Sequence, residues 1–387
     1  MIAPALSRQL SCVVLLGLVL AASLACASDF SQTVFVGTYT DKESKGIYAF
    51  RFDSTSGETA PVELAAEAAN PSFLAIGPGA HYLYAVNEVS NFEGDKTGAV
   101  SVFDVAGANG RLKLLQEVSS GGADPAHLSL DQSGRYLLVA NYTGGNAAVF
   151  PIEKDGRLGA RTAFVQNSGS SVNKERQAAP HAHEILVSRD NRLVMVPDLG
   201  TDELLLYRFD AASGALTPGK PASVKVAPGS GPRHFALAPS GKFLYLVNEL
   251  ASTVNVFSFD STAGQLRELQ TISTLPQGFE GQNTTAEIAV DAAGKHLYAS
   301  NRGDDSIAVF AIDERTGKLT FVERVSTGGK EPRHFAFDLT GKWLFAANQN
   351  SGSINVFAVD RGSGRLSATS HSVAVAAPVC VLPVAMK

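Results

Sequence analysis

Proline followed by a short apolar run recurs along this chain at Pro71, Pro125, Pro180, Pro232, Pro332 and Pro378, at intervals of 54, 55, 52, 100 and 46 residues. The gap of 100 is two repeats, because "TTAEIAVDAAGKHLYASNRG", around Thr285, carries the same pattern with the proline replaced. A fixed internal period constrains a fold strongly, since each unit must bury its apolar faces against copies of itself. Within each unit a Gly-bearing turn leads into an alternating strand ending in Asn or Asp: "YLYAVN", "YLLVAN", "LVMVPD", "FLYLVN", "HLYASN" and "WLFAAN". A third strand follows, as in "TVNVFSFD" or "SINVFAVD", and then a Gly-x-Leu element such as "GRL" or "GKL". Alternation of this kind predicts strand, so each unit holds four strands and no convincing helix.

Four-stranded units of about 50 residues, repeated along one chain, predict a β-propeller. Six units are complete, and N-terminal "TVFVGTYTD" and "GIYAFRFD" with C-terminal "APVCVLPV" supply a seventh. The expected fold is all-β: a single seven-bladed β-propeller of four-stranded antiparallel blades over residues 28–387. Pairing of the N- and C-terminal strands closes the ring and removes exposed sheet edges. One tryptophan and no Gly-Gly doublet recurring in each blade make WD-repeat and kelch patterns poorer fits.

At 387 residues, 45% of them hydrophobic, the chain can bury a large core. Its net charge of -5 is scattered, with no run of basic residues. Nucleic acid is therefore not an expected partner, since phosphate binding needs a concentrated Lys/Arg footprint, and a small molecule is. Arg8 precedes the apolar stretch "SCVVLLGLVLAASLA", which is short for a bilayer span, and Ala25-Cys26-Ala27 forms a small-x-small cleavage pattern. Residues 1–27 are thus predicted to be a signal peptide. The mature chain would start near Ser28, carry no transmembrane segment and be periplasmic or secreted. Acylation at Cys26 is the competing reading, disfavoured by Ser23. Cleavage would leave Cys380 alone, without a disulfide partner, as a core residue near the ring closure rather than a nucleophile.

If the strand after each proline is the innermost of its blade, its first residues sit at one mouth of the channel and the next strand returns there. This gathers His127, His181, His183, Arg233, His234, Glu287, Arg333 and His334 from strand starts. From returning ends it gathers Asn87, Asn141, Asp198, Asn248, Glu249, Asn301, Arg302 and Gln349. The stretch "PRHFA", written at 232–236 and again at 332–336, reflects this architecture, but its polar content needs another explanation. A mouth that needed only packing could use small apolar residues.

The stretches "NYTGGNAAVFPI", "PHAHEI", "GPRHFALAPSGKFLYLVNEL", "AEIAVDAAGKHLYASNRGDDSIAVF" and "EPRHFAFDLTGKWLFAANQN" resemble the seven-bladed propeller lactonases. That family includes one type of bacterial 6-phosphogluconolactonase and the fungal carboxy-cis,cis-muconate cyclases. The resemblance covers nearly all the mature chain. It implies a site formed by His181, His183, Arg233, Glu249 and Arg302. Glu184 departs from the family pattern, which more often has a small residue there, and is expected to add an acid near the mouth.

Lactone hydrolysis needs a base to activate water and positive charge facing the oxyanion that forms. Glu249 and His183 are both candidate bases, and Arg233 and Arg302 are the expected oxyanion or anion partners. His127, Asn141, His181, His234, Glu287, Arg333, His334 and Gln349 complete the expected substrate-binding set. For His127 or His334 alone, hydrogen bonding to neighbouring backbone is an equal alternative, and Asn141 and Asn248 suit strand ends. His181 and His183, two apart on a strand, would face one side and could also ligate zinc. Arg233, Arg302 and Arg333 would crowd a cation, so no metal is expected. No serine elbow, phosphate loop or dinucleotide fingerprint is present, and no cofactor is expected.

Export favours an unphosphorylated sugar lactone, such as glucono-1,5-lactone, over its 6-phospho form. Muconate cyclisation and a non-catalytic envelope scaffold are the remaining alternatives. The polar insertions at 88–98 and 166–179 lie near the expected mouth, either covering substrate or remaining solvated loops.

Overall fold

The computed structural model describes Met1 and residues 31–107 and 110–385, so the expected signal peptide at 1–27 lies outside the described residues. Seven four-stranded antiparallel sheets follow one another around a ring, and among the described residues the helical content is one 3-10 turn at Pro78–Ala80. Six blades are continuous in sequence. The first blade takes its inner strand, Pro378–Ala385, from the end of the chain and pairs it with Gln32–Thr38. Gly37 stands opposite Cys380 in that ladder, which places the buried, unpaired Cys380 at the closure. Burial pushes its thiol up to about 12, so it stays protonated.

The apolar residues of the alternating strands do not form one central core. Among the described residues they form seven separate layers, each between two neighbouring blades. The layer between blades five and six, for example, packs Tyr245, Val247 and Val256 against Ile288, Leu297 and Phe310. Polar latches join the same neighbours at the rim. Tyr84, Tyr245 and Tyr298, all in second strands, donate their hydroxyls to the carbonyls of Gly156, Gly317 and Gly364 on the next blade. Gly317 shows why the Gly-x-Leu element needs glycine: its φ is 72°, and a Cβ there would lie 2.3 Å from the ring of Phe243.

The inner strands carry a bulge that decides what faces the channel. In the fifth blade Pro232 opposes Asn248 but His234 opposes Val247, so Arg233 is an extra residue. The same shift occurs in the third and seventh blades. In the sixth, Thr285 opposes Asn301 and Ile288 opposes Ala299, again one residue in excess. A regular strand would turn Arg233 and His234 to opposite faces, whereas the bulge directs both inward.

Gly241 has φ 69° with nothing within 4 Å of its virtual Cβ, so it is the control for Gly317. Gly241→Ala should lose about 1 kcal/mol from left-handed strain alone. Gly317→Ala should lose about 1–3 kcal/mol more through overpacking. Urea unfolding of both variants checks this, and equal losses would remove the inter-blade contact as a determinant.

Candidate active site

The bulge creates two tiers of side chains around the channel. The upper tier holds Ser72, Ala126, His183, Arg233, Ala286, Arg333 and Val379, and the residues one position on form the lower tier: Phe73, His127, Glu184, His234, Glu287, His334 and Cys380. A cleft of about 380 Å³ opens above, lined by upper-tier residues and by the residues that follow the second strands, Tyr39, Glu88, Tyr142, Glu249 and Arg302. Arg176, Thr284 and Glu331 complete its wall.

Glu249 is the electrostatic centre of this cleft. Its carboxylate lies 3.1 Å from Arg233 Nε, 3.0 Å from Arg302 Nη2 and 2.6 Å from Arg176 Nη2. Burial alone would raise its pKa, but Arg302, Arg233 and Arg176 together outweigh that and hold it at about 2. Arg233 and Arg302 are fixed further by donating to the carbonyls of Ala286 (2.7 Å) and Thr285 (2.9 Å). Burial, then Arg302 and Arg333, push the Arg233 guanidinium down to about 9, and it remains cationic at neutral pH. Arg176 comes from the 166–179 insertion and also donates to the Tyr142 hydroxyl at 3.2 Å, so that insertion forms part of the wall.

His183 faces the cleft, and its Nδ1 is buried without a hydrogen-bond partner among the described residues. Burial and then Arg233 hold its pKa well below the ordinary 6.5, so the imidazole is neutral. His181 does not line the cleft beside His183. Both precede the short inner strand Leu186–Val187, and only the bridge Ala182 to Asp198 ties the segment to the sheet. His181 instead stacks on Tyr142, ring centres 4.5 Å apart, with its backbone N–H donating to Asp198 Oδ1.

The other expected residues divide by tier. His127, His234, Glu287 and His334 lie in the lower tier, beneath the cleft: His234 Nδ1 is 3.1 Å and His334 Nε2 3.6 Å from Glu287 Oε2, and Phe73 packs on His127. Glu184 is in this tier too, not at the mouth. Its Oε2 accepts the Phe235 backbone N–H at 2.6 Å, and burial followed by Glu287 keeps its pKa well above the ordinary 4.5. Asn141 does not line the cleft: its amide donates to Asn146 Oδ1 in its own blade and to Ser120 O, on the segment leaving the preceding blade. Asn87, Asn248 and Asn301 are similarly engaged. Gln349 lines a neighbouring groove between blades seven and one rather than the cleft. Arg333 does line the cleft, its guanidinium 5.1 Å from the centre of the Tyr39 ring. Among the described residues no cluster of three or more His, Cys, Asp or Glu is placed to hold a metal ion.

Tyr39, Glu88, Tyr142, Arg176 and Glu331 were missed by sequence reasoning. Glu88 and Tyr142 follow Asn87 and Asn141 just as Glu249 and Arg302 follow Asn248 and Asn301, so that register carries the signal. The cleft thus combines a neutral imidazole with clamped guanidinium groups, an arrangement able to activate water beside a stabilised oxyanion.

Comparison with known proteins agrees with this chemistry. A family model described as "Lactonase, 7-bladed beta-propeller" matches residues 33–383. The chain belongs to this lactonase family. It is 36% identical to a 6-phosphogluconolactonase of Bacillus subtilis strain 168 over 301 residues, 78% of this chain and 83% of that protein. A 6-phosphogluconolactonase of Formosa agariphila is 34% identical over 307 residues, covering 78% of this chain and 85% of that one. The solved periplasmic gluconolactonase of Pseudomonas aeruginosa superposes with a TM-score of 0.85 at 37% identity, covering 92% of this chain and 99% of that one. Among the described residues no helix is long and apolar enough to cross a membrane.

Glu184 yields a stability test with a defined sign. Above pH 4.5 the unfolded chain releases this proton while the folded chain keeps it, so rising pH favours unfolding through this group. Glu184→Gln is neutral in both states. It should raise the melting temperature at pH 7.5 relative to the parent, with the gain vanishing near pH 4.5. A gain independent of pH would rule out a protonated Glu184.

Proposed function

We propose that this lactonase is exported and opens a sugar lactone of the glucono-1,5-lactone type to the aldonic acid. The observation that carries the reading is His183 and Arg302 on one side of the cleft, with the buried Arg233 on the blade between theirs and both arginines held on Glu249. His183 acts as the general base, because a carboxylate held near 2 by three arginines has little affinity for a proton. Burial depresses His183 first and the positive field of Arg233 second, and this second part is offset as negative charge grows on the carbonyl oxygen when the proton must move.

Water attacks the lactone carbonyl carbon as His183 takes its proton, and the carbonyl π pair moves onto oxygen, facing Arg233 and Arg302. Collapse of this oxyanion breaks the ring C–O bond, and the departing ring oxygen takes the proton back from His183. The product is the open hydroxy acid, which ionises to the aldonate. Glu249 positions the arginines and forms no bond.

Export is supported by the leader-like pattern of residues 1–27 and by the Pseudomonas relative described as periplasmic. The names of the Bacillus and Formosa relatives favour a second reading, hydrolysis of the 6-phospho lactone.

Hydrolysis of both lactones by the purified chain, measured against spontaneous opening, tests the reading. Arg233→Ala should lower kcat by roughly 10²–10³-fold, as expected for a lost oxyanion donor. His183→Ala should abolish the pH-dependent part of the rate. Near-normal turnover in Arg233→Ala would remove Arg233 from this role. Sequencing of the exported chain should find Ser28 at its N-terminus.

A further inference from the structure

Four histidines face the channel, His183 in the upper tier and His127, His234 and His334 in the lower, and their hydrogen bonds sort them. His127 Nδ1 accepts the backbone N–H of Ile185 at 3.4 Å, and His334 Nδ1 accepts that of Val381 at 3.3 Å. Each neutral ring therefore carries its one proton on Nε2, which lies 3.8 Å from Glu184 Oε1 in the first case and 3.6 Å from Glu287 Oε2 in the second. Neither has a nitrogen left to pass a proton onward. His234 differs. Its Nδ1 lies 3.1 Å from Glu287 Oε2, while its Nε2 is buried without a partner among the described residues. His183 Nδ1 is buried in the same unpartnered state, and the two rings meet edge to face with centres 5.0 Å apart.

These two nitrogens are complementary. His183 lines the cleft with Nδ1 buried, so as a neutral base it offers Nε2 to water, holds its own proton on Nδ1 and needs an acceptor there. His234, donating Nδ1–H to an ionised Glu287, presents an Nε2 lone pair that needs a donor. A small turn of either ring, or one bridging water of the kind that satisfies buried polar atoms, joins them. The result is a line from Glu287 in the sixth blade through His234 in the fifth to His183 in the fourth. Charge favours movement along it. Arg233, Arg333 and Arg302 all act on His183, so an imidazolium there is disfavoured. Glu287 lies in the tier below, its Oε1 accepting the Ile288 N–H, and burial raises its affinity for a proton above that of an ordinary carboxylate.

We infer that His234 and Glu287 relay the proton that His183 takes from water, so that it rests on Glu287 during ring opening while His183 stays neutral. This rests on the lactonase reading of the cleft. As water attacks, its proton bonds to His183 Nε2, the His183 Nδ1 proton passes to His234 Nε2, and the His234 Nδ1 proton passes to Glu287 Oε2, whose negative charge it cancels. Both imidazoles change tautomer and neither becomes a cation. The three transfers reverse when the departing ring oxygen takes its proton from His183 Nε2. In a serine-protease triad the carboxylate stays ionised beside an imidazolium; here the arginines above the line reverse that preference. His234 and Glu287 touch no substrate and act through His183.

Nitrogen-15 NMR of the imidazoles in the ligand-free chain tests the relay without turnover. Around the line, Arg233, Arg302 and Arg333 keep their charge, Glu249 stays ionised, His127 and His334 stay neutral, and Glu184, Tyr142 and Cys380 keep their protons, which leaves Glu287 to titrate. As Glu287 loses its proton with rising pH, His183 and His234 should shift their protons from Nε2 to Nδ1 together, neither passing through an imidazolium. The ionised form is the active one, so kcat should rise through the same midpoint. Glu287→Gln should hold both rings in one tautomer and lower kcat about ten- to a hundredfold at unchanged KM, less than a whole general base contributes. It should also move the midpoint of the rising limb to lower pH, because His183 must then hold the proton itself. Glu287→Asp, which keeps a carboxylate, should recover part of the rate, and Glu184→Gln, in the same tier but off the line, should leave rate and midpoint as in the parent. Separate titration of the two rings, no tautomer change in either, or a parent-like midpoint in Glu287→Gln would overturn the relay even if lactones are opened. A coupled tautomer change in a chain that opens neither lactone would leave the proton line standing and remove the lactonase reading.

Discussion

Every blade of this protein buries both faces against its neighbours, and that single constraint organises the rest. A lone four-stranded sheet would expose the apolar residues that here fill seven inter-blade layers. The only arrangement that covers them all is a closed ring. Closure requires the strand Pro378–Ala385 to lie beside Gln32–Thr38, and it brings the inner strands to one narrow channel. A polar cluster at that channel's mouth is held by a ring whose inner strands are fixed by both neighbouring blades, so its arginines need little local support.

The bulges make that scaffold into a site. One extra residue in the inner strands of the first, third, fifth, sixth and seventh blades lets them contribute an upper and a lower side chain, and the upper ones meet the residues that leave the second strands. Three guanidinium groups of like charge gathered above would repel one another. Glu249 compensates them through three ion pairs, and the backbone carbonyls of Ala286 and Thr285 take up further donors. Below, His234 bonds to Glu287 and His334 lies beside it, while Glu184 retains its proton, so the channel floor adds little net charge beneath the arginines.

Much of this was legible in the sequence because the repeat phases strands against prolines and glycines. The blade count, the closure and the convergence of His183, Arg233, Glu249 and Arg302 all follow from that phase together with the family resemblance. The bulge is not legible, since strict alternation would separate Arg233 from His234, and tier membership could not be read without it. Asn141 stands apart because the strand-end asparagines, alike in sequence to site residues, spend their amides on the joint with the preceding blade while the next residue enters the cleft. Tyr39 hid because its strand ends in Thr38 where other blades write Asn or Asp. Arg176 sits in an insertion with no period at all, and Gln349 breaks the polar series by turning to another groove.

The closing strand has a consequence for the order of events in folding. Gln32–Thr38 emerges early in synthesis but finds its partner only when Pro378–Ala385 is present, so the first blade is the last to be completed. Tyr39 leaves that early strand and Arg333 belongs to the adjoining seventh blade, so the arc they form across the cleft cannot be set until the two ends of the chain meet. Pairing so distant in sequence is slow, and until it occurs the incomplete ring displays an open strand edge. The time a new molecule spends aggregation-prone is therefore the same interval it spends without a finished cleft.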